Sequence, residues 1–232
     1  MDEQGFRAKA GGVFTSHLPW GKWTSKQKKR YFWAFHAARR DEGRSIYAGL
    51  DIELLMGSGH YSIEHVVPRQ LLEYALKGAP RKVRYGASVN PFNFAACHTR
   101  MNQARGHADF DMEGDPLEEI VRLRIGNGLG EPVGKDAEGE WIPPRRSRGD
   151  IARACLYMSL LYGIRLYSVE DLRRLAEWAR HDQPSQQEKQ FSAWFRQSFG
   201  FGNPFVEDPE LMADEDLLRR IRPRKRRRGG FP

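Results

Sequence analysis

Apolar positions along the chain follow a helical spacing over long stretches and a short, extended one at only two places. Thr24 reads as an N-cap, with Tyr31, Phe32, Phe35 and Ala38 on one face of a helix over about 25–40. Residues 57–61 are turn-rich and lead into 62–67, whose β-branched residues predict a short strand ended by Pro68. Residues 77–91 read as a basic loop, 92–96 as a second strand and 97–105 as a compact helix. After a Gly- and Pro-rich passage at roughly 126–149, Ile151, Cys155, Met158 and Tyr162 share a helical face, and Gly163 supplies the stop. Ser168 with Asp171 predicts a capping box for the next helix, with Val169, Leu172, Ala176 and Ala179 inward. A last helix over 185–199 carries Phe191, Trp194, Phe195 and Phe199 as its stripe. Residues 1–23 read as an irregular lead-in, and no internal repeat is visible. The pattern predicts an α+β chain with few strands and a helical C-terminal half.

Composition narrows the class. With 232 residues, 40% of them hydrophobic, the chain can bury a core and is not globally disordered. Two cysteines exclude a disulfide scaffold and a four-cysteine zinc site. The longest nearly apolar stretch, around 154–164, is far short of the ~20 residues a bilayer helix needs. No secretory leader is legible in the first residues, so the expected location is the cytoplasm, or another cell reached by a different export route. The net charge of +8 is confined to residues 219–232, which hold seven Arg, one Lys and no acid. Without them, 30 basic residues face 30 acidic ones. The organisation expected is one folded domain over 1–218 and a basic, disordered tail suited to phosphates.

The densest candidate chemistry is Glu64-His65, followed by Asn102 and Arg105 on the compact helix. Adjacent residues on a strand point to opposite faces, so this pair shares a site only if the strand end near Pro68 relaxes the alternation. Carboxylate and amide oxygens are hard ligands suited to Mg²⁺. A histidine beside such an ion can accept a proton from water near neutrality. Read alone, Glu-His is as compatible with a surface or capping pair.

Five collinear segments carry a resemblance: IEHVVPRQ at 63–70, NPFNFAACHTRMNQARG at 90–106, PPRRSRGDIARACLYMSLLYGI at 143–164, LAEWARHDQPSQQEKQ at 175–190 and GNPFV at 202–206. Together they resemble the bacterial endonuclease I family over about 60–206. That family is similar to other ββα-metal (His-Me finger) nucleases, so the resemblance implies a two-stranded ribbon plus a helix embedded in a mainly helical domain. It implies a Mg²⁺-dependent endonuclease, with Mn²⁺ as a substitute, acting on DNA and by extension RNA with little sequence preference. His65 matches the general base, Glu64 and Asn102 the metal ligands, and Asn93 a residue that braces the ribbon. The products would carry a 5′-phosphate and a 3′-hydroxyl. An arginine near the scissile phosphate is expected from the shortened loop, with Arg84 the first choice and Arg81 its rival. Arg81, Lys82, Arg105 and the tail residues Arg224, Lys225 and Arg226 are the expected nucleic-acid contacts.

The chain departs from familiar members, which are exported and rich in disulfides, by holding only Cys97 and Cys155. Cys97 reads as a half-buried packing residue. His98, one turn before Asn102, reads as a structural hydrogen-bonder, and His60 and His107 as loop histidines. The glycines of 126–130 lack the context of a phosphate loop and read as turns. Arg145, Arg146 and Arg148 either flank nucleic acid or belong to an exposed linker. An unexported nuclease would need an inhibitor, a delivery partner or protected host DNA. Two further readings stand beside the enzyme: a non-catalytic nucleic-acid binder relying on its basic tail, and a scaffold whose tail is a docking signal.

Overall fold

A computed structural model describes residues 23–39, 43–113, 119–121, 124–125, 128–129, 133–213 and 221. The lead-in before Trp23, most of the 126–130 glycines, and the tail with Arg224, Lys225 and Arg226 lie outside the described residues. The fold is α+β. Helix α1 (Ser25–Ala37) starts where the Thr24 hydroxyl accepts the Gln27 N–H and the Gln27 side chain accepts the Thr24 N–H, a closed capping box. Helix α2 (Ile52–Gly57) leads into strand β1 (Tyr61–His65), which Pro68 separates from α3 (Arg69–Ala75). Helix α4 (Arg81–Ser88) follows Pro80, and strand β2 (Phe94–His98) runs directly into α5 (Thr99–Arg105).

β1 and β2 pair antiparallel, from Tyr61 opposite His98 to His65 opposite Phe94. The first strand is shorter than the sequence predicts, and Asn93 is the cause. Its backbone carbonyl takes the Val66 N–H, while its side chain accepts from the Val67 N–H at 2.7 Å and donates to the Val67 carbonyl at 2.9 Å. A side-chain amide thus replaces the next rung of the ladder. The second strand starts late because Asn90 caps a 3₁₀ turn over Pro91–Asn93. The expected basic loop contains α4, which Pro80 favours by presetting φ at the helix entrance. α2 and α3 were not legible in the sequence pattern.

Short strands β3 (Glu119–Val121), β4 (Arg124–Ile125), β5 (Gly128–Leu129), β6 (Val133–Lys135) and β7 (Trp141–Ile142) follow, with sheet order β3-β6-β7 and a separate β4-β5 pair. The sequence reading gave this passage only as Gly- and Pro-rich. Helix α6 (Arg148–Tyr162) is buried on every face rather than on the one predicted stripe, and stops at Gly163 in the left-handed region (φ 63°). Gly149 is needed at its start, because an added Cβ would meet the carbonyl oxygen of Asp182, the residue that follows the next helix. That helix, α7 (Val169–His181), has the predicted Ser168–Asp171 box; Leu172, Ala176 and Ala179 are buried, whereas Val169 at its first turn is exposed. α8 (Gln186–Phe199) buries Phe195 fully and leaves Phe191, Trp194 and Phe199 partly covered. α9 (Pro204–Glu207) and a 3₁₀ turn over Pro209–Ala213 close the described fold. Among the described residues no helix is long and apolar enough to cross a membrane.

His36 on α1 sits in this core against Phe32, Phe35 and Phe191, with Gln187 Nε2 at 2.9 Å from its Nδ1. Burial, and after it the Arg39 charge, pushes its pKa down to about 4. The unfolded chain therefore takes up the proton first, so this contribution to stability is complete above pH 6.5 and is lost as pH falls toward 4. Between pH 7 and pH 5 wild type should lose about 2 kcal/mol more than His36→Gln. Urea unfolding of both proteins at the two pH values checks this; equal pH slopes would refute it.

Candidate active site

The functional candidates converge where α5 crosses β1. β2 delivers the chain into α5, and His98 caps the helix by accepting the Arg100 N–H at its Nδ1, 3.1 Å away. From α5, Asn102 donates its side-chain N–H groups to Ser62 Oγ (3.0 Å) and the Ile63 carbonyl (3.1 Å). With its nitrogen directed at the strand, the amide offers its oxygen to whatever it meets. One turn later Arg105 reaches β1 from beneath. Its Nη1 donates to Glu64 Oε1 at 2.5 Å and to the His65 carbonyl at 3.0 Å, and its Nη2 to the Val66 carbonyl at 2.9 Å. Tyr47 donates its hydroxyl to the same Glu64 oxygen at 2.7 Å.

Arg105, expected to contact nucleic acid, is only 1% exposed, and Glu64 only 2%. This corrects the expectation: the guanidinium lies beneath the ribbon as the counter-charge of Glu64, where a backbone phosphate does not reach it. Burial pushes the Glu64 carboxyl above its usual range, while the Arg105 charge and the Tyr47 hydroxyl pull it back. Burial also works against the Arg105 charge, yet Tyr47 and Glu64 hold its pKa above the ordinary value.

His65 takes other partners. Its ring lies edge-on to Phe94 at 5.0 Å, and its Nε2 is 3.2 Å from both the Ser88 carbonyl and the Lys28 ammonium. One nitrogen serves only one of these at a time, donating to Ser88 or accepting from Lys28 according to the tautomer. Burial and then Lys28 push the His65 pKa down to about 3; the Ser88 carbonyl opposes this, and Arg69 and Arg105 add to it. Lys28 falls to about 8 through burial and its cationic neighbours Arg69 and Lys29. His65 is therefore neutral through the physiological range. The strand alternation holds here: Glu64 meets Tyr47 and α5, and His65 meets α1 and α4.

Arg81, Lys82 and Arg84 lie exposed on α4, the helix whose last residue supplies the Ser88 carbonyl to His65. Arg81 and Arg84 both fall on the Ser88 face by helical spacing, so both stay in play. Cys97 is fully buried, its thiol directed at the His98 carbonyl. His60 and His107 are exposed. Arg146 donates to the Tyr47 carbonyl at 2.7 Å, and Arg148 lies over the Trp178 ring. Sequence reasoning missed Lys28 and Tyr47. Lys28 sits one turn before Phe32 on the apolar face of α1, and a lysine on such a face is the signal that was available. Tyr47 lies in a turn and had none.

The donor set fits a hard divalent cation: the Glu64 carboxylate and the Asn102 amide oxygen come from the two elements that Arg105 and Asn102 stitch together. A family model described as Endonuclease I matches residues 52–210, from α2 through α9. No curated protein matches the chain.

Replacing Arg105 by Met should lower stability by about 3–5 kcal/mol, because it leaves Glu64 buried without its counter-charge. Arg105→Lys should recover little, since one ammonium cannot reach Glu64 and two carbonyls together. Chemical unfolding measures both. A loss below about 1 kcal/mol with weakened nucleic-acid binding would return Arg105 to the substrate contacts.

Proposed function

The chain belongs to the endonuclease I family and is a nuclease, and from that premise we propose that it hydrolyses phosphodiester bonds of DNA, and of RNA where offered, with little sequence preference. The observation that supports the reading is the joint of β1 and α5, where Tyr47 and Arg105 hold Glu64, Asn102 bonds Ser62 and Ile63, and His65 faces Lys28 and Ser88. The buried Glu64 carboxylate would not meet a phosphate directly; a metal ion held by Glu64 and the partly exposed Asn102 would carry the phosphate toward His65. Mg²⁺, with Mn²⁺ as a substitute, would be held by Glu64 and Asn102 and would neutralise charge on the phosphate and the departing oxygen.

His65 acts as general base. With Nε2–H given to the Ser88 carbonyl, the Nδ1 lone pair takes a proton from a water molecule. The resulting hydroxide attacks phosphorus in line, the bond to the 3′-oxygen breaks, and that oxygen leaves as a hydroxyl after taking a proton from solvent. The products carry a 5′-phosphate and a 3′-hydroxyl. In the free protein His65 is a weak base because burial, and after it the Lys28 and Arg69 charges, disfavour its protonated form. A bound phosphodiester adds negative charge beside the ring, opposes those cations and raises its basicity when substrate is present. Exposed Arg84 and Arg81 on α4 supply positive charge next to His65, with Lys82 beside them as a backbone contact. Such contacts read no bases, which supports low sequence preference.

Digestion of supercoiled plasmid tests the reading. Wild type should nick and linearise the plasmid with added Mg²⁺ and not with EDTA. His65→Ala should be slower by about 10²–10⁴-fold while keeping its circular dichroism spectrum. Metal-dependent cleavage that survives in His65→Ala would remove the base from His65. Tight, salt-dependent binding without cleavage would favour the non-catalytic reading.

A further inference from the structure

A second acidic concavity lies away from the β1 end. Phe110 bridges to Trp141, the Asp111 N–H donates to the Trp141 carbonyl at 3.0 Å, and the Trp141 N–H donates to the Asp109 carbonyl at 2.7 Å. The turn from Asp136 to Glu140 joins β6 to β7, and the Asp136 carboxylate accepts the Glu140 N–H at 2.8 Å. These backbone bonds bring one side-chain oxygen each from Asp111, Asp136 and Glu140 within 4.8 Å of one another. The cavity beside them, about 440 Å³, takes its charged lining from Asp109, Glu113, Asp136, Glu138, Glu140 and Asp171, with no Lys or Arg among the described residues.

Crowded acids alone do not make a site. The informative atom is Asp136 Oδ2. Asp136, which lines the cavity, is 5% exposed; its Oδ1 serves the Glu140 N–H, and its buried Oδ2 has no hydrogen-bond partner among the described residues. A buried anionic oxygen without a donor is costly, and the carboxylates around it raise that cost. A cation between the three removes it.

We propose that Asp111, Asp136 and Glu140 form a second metal site, one that takes a hard divalent cation of Ca²⁺ type and ties the β6–β7 hairpin to the segment at 110–112. The donors are all carboxylate oxygens, and a Ca²⁺ coordination sphere of radius ~2.3–2.6 Å spans their separation more readily than the ~2.1 Å sphere of Mg²⁺. Water in the cavity completes the coordination. The site is separate from Glu64 and Asn102 but touches the same core. Trp141, next to Glu140, packs its ring 5.3 Å from Tyr47, and Phe110 lies 4.4 Å beneath the Arg105 guanidinium. Its role is to brace the layer on which Glu64 rests, not to meet substrate.

Calorimetry and thermal unfolding of the full chain, stripped with EDTA and titrated with CaCl₂ alone without Mg²⁺ or nucleic acid, test this. Wild type should bind Ca²⁺ saturably and melt at a higher temperature when loaded. Asp136→Asn keeps the acceptor for the Glu140 N–H; it should fold, weaken Ca²⁺ binding by more than about tenfold and lose the thermal shift. Glu140→Gln should do the same and serves if the first variant does not fold. Asn102→Ala, which lacks the amide oxygen at the β1 end, should keep both binding and shift. Wild-type affinity in Asp136→Asn and Glu140→Gln, loss of binding in Asn102→Ala, or no Ca²⁺ binding by wild type would each overturn the proposal. None of these readouts uses nuclease activity, so failure here leaves the reading of His65 untouched.

Discussion

The buried pair of Arg105 and Glu64 is the constraint on which the site depends. Two charges under 3% exposed are tolerable only in contact, and here the guanidinium also satisfies the carbonyls of His65 and Val66. This fixes the end of β1 on three successive residues. It sets the distance between ribbon and helix, and it holds the backbone of His65 while leaving the ring to other partners. Asn102, one turn earlier on α5, can bond Ser62 and Ile63 only because Arg105 has docked the helix along the strand.

The same arrangement accounts for two adjacent residues with opposite electrostatic surroundings. Glu64 lies among groups that donate to it, Tyr47 and Arg105, yet burial keeps it above the usual carboxylate range. His65 faces Lys28 and Arg69 and is held neutral. Under the proposed function, hydrolysis would ask these two roles of them: a carboxylate that holds a metal and an imidazole free of its proton. Strand alternation, which at first argues against a shared site, is what keeps the two environments apart.

How much of this was legible depends on the range of each interaction. Helix ends were readable because caps are local: Thr24 with Gln27, Ser168 with Asp171 and Gly163 all act within four residues. β1 ends two residues early because Asn93, distant in sequence, substitutes its amide for a rung beside Val67. The prediction of a loop before Asn90 failed because its basic composition outweighed the helix-starting role of Pro80. Within the site, Glu64, His65 and Asn102 were visible through their resemblance to a family. The burial of Arg105 was not, since the same NxxR spacing suits a phosphate contact or an internal ion pair, and only the packing of α5 on β1 decides between them. Lys28 and Tyr47 come from segments far from the ribbon, and their roles exist only after folding.

Charge along the chain is balanced outside the C-terminal tail, but in space it is sorted. Arg81, Lys82 and Arg84 stand exposed on α4, on the His65 side of the ribbon, while the cavity beside Glu140 is lined by acids. A net charge near zero therefore hides local fields of opposite sign. Under the proposed function, this sorting would draw a phosphate polymer to α4 and away from the acidic concavity, toward the β1 end. The helix that carries the exposed cations is also the one whose last carbonyl meets His65.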